Sequence, residues 1–172
     1  MMISGNMNAA INEQIGNEFG AMLQYVAIAS HFHGESLHAL ADHFYAQAEE
    51  ERDHAMRFVK YVLDAGGRVE IPHLPAPKSS FASVEEAVKL SLGQEKAVTE
   101  QINRLMTAAI KENDYITQNT LGWFVNEQLE EVSSMEDLLK VVQLAGKNLL
   151  FVEEFAARRK SKSAPSGAGA AT

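Results

Sequence analysis

Ala48-Glu-Glu-Glu-Arg-Asp-His54 is a run of charge set inside an apolar row. Phe44, Glu51 and Phe58 are seven residues apart, so on a helix they fall on nearly one line with Glu51 in its middle. Glu51 and His54 are related as i and i+3, which turns both side chains to one helix face. Such a stretch is either a solvated acidic surface or a carboxylate and an imidazole placed in a core, and the rest of the chain decides between them.

The same feature recurs outward in both directions. Ile11, Glu18, Tyr25 and Phe32 form one heptad row, and Val88, Glu95, Ile102 and Ala109 form another. A further segment carries Leu121, Gln128 and Met135 beside Phe124, Glu131 and Leu138. Each of four helical segments thus holds a carboxylate in the middle of an apolar row, with an amide added in the last. A charge buried alone is costly and is normally neutralised or paired, so four repeats of the same feature point to one shared cation. Carboxylates with an imidazole suit iron, manganese or zinc better than calcium. A second Glu-x-x-His, Glu35-Ser-Leu-His38, straddles a turn and cannot face a bundle centre.

Helix boundaries follow from caps and breakers. The first helix is expected from Asn8 to about Phe32, with Gly34 beyond its end. Ser36 is expected to cap a second helix, running to about Ala65 before Gly66-Gly67. Ser83-Val-Glu-Glu86 reads as a capping box that opens a third, ending near Glu112. Asn113-Asp114 turns into a fourth that reaches Ala145 and stops at Gly146. Asn148–Arg158 reads as a short fifth helix with Leu149, Val152 and Phe155 on one side. The expected division is a bundle domain over 1–160 and a flexible, small-residue tail over 161–172.

Helices one and two, and three and four, are joined by short turns, so each pair is an antiparallel hairpin. Measured from those turns, Glu18 matches Glu51 in height and Glu95 matches Glu131. The connection over residues 66–83 holds Pro72, Pro75 and Pro77, and fully extended it reaches about 60 Å at about 3.3 Å per residue. A helix of about 28 residues is only about 42 Å long. The connection can therefore run the length of the bundle and make the third helix parallel to the second. The expected fold is all-α: a four-helix bundle with a long crossover and a short fifth helix.

Composition narrows the function. The chain has 172 residues, no cysteine, and a formal net charge of −8. Disulfide scaffolds, thiolate metal sites and a basic nucleic-acid binder are excluded. No apolar run approaches the length of a membrane span, and the opening MMISGNMNAAINEQ has neither a basic region nor an apolar core. No membrane or nucleic-acid partner and a cytoplasmic location are expected. A purely structural bundle is disfavoured by the buried acids.

Over residues 8–158 the chain resembles the ferritins, specifically the bacterial non-haem type. The resemblance rests on Asn17-Glu18 with Tyr25 seven on, Ala48–His54, Gln94-Glu95, and Asn126-Glu-Gln-Leu-Glu-Glu131. It implies a di-iron ferroxidase centre in which Glu18, Glu51 and His54 hold one iron. Glu51 would bridge to a second iron held by Glu95, with Glu131 or Gln128 nearby. Tyr25 matches the family's tyrosine beside the centre and takes its place as the catalytic candidate. Glu50, Glu127 and Glu130 match a third iron site, with Glu131 able to bridge.

The resemblance also implies oxidation of Fe2+ by O2 or H2O2 and storage of ferric oxyhydroxide in a homo-oligomeric 24-mer shell. Haem-containing relatives place methionine directly after the bridging glutamate and repeat Glu-x-x-His on the fourth helix. Here those places hold Arg52 and Glu127-Gln-Leu-Glu130, so no haem is expected. Gln118 and Leu121 stand where animal ferritins line a pore with acids, leaving Glu112 and Asp114 as candidates for the route by which iron enters. The rival readings are a non-storage di-metal oxidase or peroxide scavenger, and a mini-ferritin.

Overall fold

The computed structural model describes residues 2–163. Five helices follow in order: α1 Gly5–Gly34, α2 His38–Asp64, α3 Val84–Lys111, α4 Tyr115–Ala145 and α5 Leu149–Ser163. No strand occurs among the described residues. Residues 164–172, most of the expected tail, lie outside them.

Three boundaries differ from expectation, each for a local reason. Helix α1 starts before Asn8, because the Ser4 hydroxyl accepts from Met7 N at 3.1 Å and Ile3 and Met7 are buried. Ser36 does not cap α2. It takes a left-handed conformation (φ 61°) in the turn, the position expected for Gly34, and Leu37 precedes the helix without a side-chain cap. The cap comes from α5 instead: Glu153 accepts from Ala39 N at 2.9 Å and from Leu40 N at 2.8 Å. Helix α5 is also longer than expected and buries Val152 and Ala156, with Phe155 half-buried and Leu149 exposed. Its inward side is therefore the i, i+4 pair against α2, rotated from the expected row.

The remaining signals hold. Ser83 Oγ accepts from Glu86 N at 3.1 Å. Glu86 reaches back to Ala82 N at 2.6 Å, one residue before the place a capping box would use. Asn113 (φ 55°) makes the α3–α4 turn, and Asp114 caps α4 through Thr117 N at 3.0 Å.

The crossover is a strap tied along α1 by amide side chains. Asn8 and Asn12 donate to Arg68 O at 3.1 and 2.8 Å, and accept from Arg68 N and Glu70 N, both at 3.0 Å. Farther up, Gln24 pairs with both backbone groups of Lys78 at 2.8 and 2.9 Å. Between these ties Pro72 closes onto Gly16, where an added Cβ would stand 2.3 Å from the proline ring. The strap thus climbs from the start of α1 towards its end. Helix α3 therefore begins at the top, beside the start of α2, and the two run parallel.

Every residue of the expected heptad rows is buried. The apolar ones separate into an upper cluster around Tyr25, Phe32, Phe44, Met135 and Leu138, and a lower one around Ile15, Phe58, Ile102, Leu121 and Phe124. A polar belt lies between them.

Candidate metal centre

The belt holds Glu18 from α1, Glu51 and His54 from α2, Glu95 from α3, and Gln128 and Glu131 from α4, each buried. Ligand atoms of Glu18, Glu51 and His54 all lie within 4.8 Å of one another, and those of His54, Glu127 and Glu131 form a second such group. His54 Nδ1 is 3.4 Å from Glu51 Oε2. Four heptad rows at matched heights bring these groups together: each helix contributes where its apolar stripe crosses mid-bundle.

Neutral donors hold the outer carboxylates. Gln14 donates to Glu18 Oε1 at 2.9 Å. The Tyr25 hydroxyl donates to Glu95 Oε1. Thr99 Oγ1 donates to Gln128 Oε1 at 2.9 Å. Trp123 meets the His54 ring edge-on at 5.5 Å between centroids, with the Arg57 guanidinium 3.8 Å over the indole.

Burial and mutual repulsion work against ionisation here. Burial, then the Glu51 charge, holds the Glu18 carboxyl well above the usual range. Burial and the neighbouring Glu95 do the same to Glu51. Burial raises Glu95, with Tyr25 and Gln128 partly offsetting it. Glu131 is pushed up to about 8 by burial and then by Glu95 and Glu50. Burial and the adjacent carboxylates raise the Tyr25 hydroxyl as well.

Glu18 Oε2, Glu51 Oε2, His54 Nδ1 and Glu95 Oε2 are buried without a hydrogen-bond partner. Among the described residues no lysine or arginine forms a salt bridge with these carboxylates. Three orphaned carboxylate oxygens and one imidazole nitrogen, from three helices, fit a hard or borderline dication bound by oxygens and one imidazole.

On the outer side of α2 and α4 the acids open onto a groove of about 730 Å3 bounded by α5. Glu50, Glu127, Glu130 and Glu131 line it, with His43 and Arg159 at its other end. The structure does not separate the flank cleanly from the centre, since Glu127 reaches His54 and Glu131 while Glu130 stays on the groove wall. Gln47 donates to Glu50. His43 is half-buried; burial and then Arg159 lower it to about 4, so it is neutral near pH 7.

A family model described as a ferritin-like domain matches residues 8–145. The chain belongs to the ferritin family. Ferritin BfrB of Mycolicibacterium smegmatis is 45% identical over 169 residues, covering 95% of this chain and 93% of that protein. The bacterial non-heme ferritin of Staphylococcus aureus is 36% identical over 155 residues, covering 89% and 93%. Among solved structures, the open pore ferritin of Archaeoglobus fulgidus superposes with a TM-score of 0.88 at 33% identity, covering 91% of this chain and 97% of that one. The fold of this ferritin is therefore that of its relatives, a four-helix bundle with a short fifth helix.

Sequence reasoning missed the supporting amide and hydroxyl groups. Gln14 stands one turn before Glu18, and Thr99 one turn after Glu95. That i, i+4 relation was the available signal. No described helix is long and apolar enough to cross a membrane.

Proposed function

We propose that this ferritin is a cytoplasmic iron-storage protein whose bundle centre oxidises Fe2+ before the product is kept as ferric oxyhydroxide inside a 24-mer shell. The observation that carries this reading is the set of buried, unpartnered ligand atoms of Glu18, Glu51, His54 and Glu95 at mid-bundle. Iron is the substrate. Glu18, Glu51 and His54 hold one Fe2+, and Glu51 bridges to a second held by Glu95 with Glu131 or Gln128. Two dications replace the protons that burial otherwise keeps on these carboxylates, so binding releases protons. Each Fe2+ gives one electron to O2, and with two protons the products are two Fe3+ and one H2O2; H2O2 serves in turn as an alternative oxidant. Tyr25 occupies one oxygen of Glu95 and leaves the other to the metal. Fe3+ then moves towards the third site, where Glu50, Glu127 and Glu130 carry it into the groove and on to the mineral. All ligands come from one chain, which favours this reading over a mini-ferritin.

The test is aerobic addition of Fe2+, followed by ferric absorbance, particle size and retained iron. His54→Ala and Glu51→Ala should oxidise iron at least about a hundredfold more slowly while forming shells of the parent's size. Unchanged initial rates in both variants would remove the assignment of the centre, and a parent that retains no iron would remove storage.

A further inference from the structure

Glu18 on α1 and Glu95 on α3 are held in the same way. Tyr25 donates to Oε1 of Glu95, and Gln14 donates to Oε1 of Glu18 at 2.9 Å. In each case Oε2 is left buried and unpartnered. Gln14 lies one turn before Glu18 on α1 and is 2% exposed. Asn17 Nδ2 faces its Oε1 at 3.4 Å, which turns the amide so that its N–H side meets Glu18. The reversed amide would set its carbonyl against the carboxylate. The residues flanking Gln14 on this face, Ile11 and Ile15, belong to the lower apolar cluster, where an apolar side chain of similar volume would pack without desolvating an amide.

We infer that Gln14 is a positioning residue of the centre: its N–H occupies one oxygen of Glu18, so that this carboxylate meets the metal beside His54 through Oε2 alone. The inference rests on the metal-centre reading above and adds to it a residue and a coordination mode. A carboxylate with both oxygens free can chelate or swing between ligand modes. One tied at Oε1 is a fixed, single-oxygen ligand, and partners of this kind typically carry 10–100-fold in metal affinity.

The test uses the assembled, full-length apoprotein and Co2+, a probe that reports coordination by its visible bands without the ferroxidase turnover. Gln14→Met keeps the shape and removes the donor, and Gln14→Leu serves as a second variant if the first folds poorly. Either should bind Co2+ about tenfold more weakly at the site beside His54, with altered visible bands. In a Glu18→Ala background the same replacement should change affinity by less than about twofold, whereas in a Tyr25→Phe background its full effect should persist. A replacement that only loosened the fold would lower the melting temperature and weaken binding equally in both backgrounds, which would overturn the inference. So would a Gln14→Met protein with the parent's affinity and bands. A parent that takes up no Co2+ would overturn the metal-centre reading, and this inference with it.

Discussion

Glu50 and Glu51 are adjacent in sequence and live in different surroundings. One step of about 100° round α2 carries Glu51 into the belt between two apolar clusters, 2% exposed and with an unpartnered oxygen. The same step leaves Glu50 on the wall of an open groove, bonded by Gln47. A carboxylate of the first kind is costly to keep unless a cation arrives. One of the second kind keeps contact with solvent and costs less, although partial burial raises Glu50 as well. On the proposed reading, the centre holds metal and the flank passes it on.

Replacing each neighbour in turn gives the largest expected contrast. Glu51→Ala should lower the initial rate of aerobic Fe2+ oxidation at least about a hundredfold, against less than about threefold for Glu50→Ala. Equal losses in stopped-flow traces of the two variants would erase the distinction between centre and flank.

Next in size is the pH dependence of the metal-free protein. An ordinary glutamic acid titrates near 4.3, and Glu131 is held up at about 8. Between these values the folded chain binds more protons than the unfolded one. The corresponding stability is complete below about pH 4.3 and lost as pH rises through about 8. Denaturant melts of the apoprotein should therefore weaken across that window by up to about 1.4 kcal/mol per pH unit for this group. Glu131→Gln should flatten the slope, and saturating Zn2+ should do so more fully. A parent and variant with superimposable pH profiles would contradict the burial argument.

A smaller effect is expected at the top of the bundle. Glu153→Ala removes the cap that α5 gives to α2, at about 1 kcal/mol in thermal or denaturant unfolding. The smallest change in initial rate belongs to the groove. Glu130→Ala should keep the first burst of oxidation within about twofold of the parent while altering the iron-to-oxygen ratio and the turnover that follows. A variant matching the parent in both would reduce Glu130 to a surface acid.

Much of this architecture is legible in the chain itself. Heptad rows place Glu18, Glu51, Glu95 and Glu131 because burial along a helix is periodic, and the 66–83 strap is long enough to force α3 parallel to α2. What escapes the rows is set by tertiary contact. The cap on α2 comes from Glu153, 113 residues from the Leu40 amide it accepts from, so Ser36 is free to take the left-handed turn expected at Gly34. The inward side of α5 depends on how it meets α2, and no apolar pattern within one short helix fixes that. Gln14 and Thr99 act through rotamers, which spacing alone does not reveal. Glu127 likewise reaches the centre through its side chain, although its place in sequence suggests only the flank.

Anomalous diffraction from crystals of the full chain loaded with Zn2+ tests the central claim most directly. Two strong peaks should appear in each bundle, one among Glu18, Glu51 and His54 and one between Glu51 and Glu95, with Glu18 bound through a single oxygen. Crystals with saturated metal elsewhere and no peak within reach of Glu51 would contradict the account.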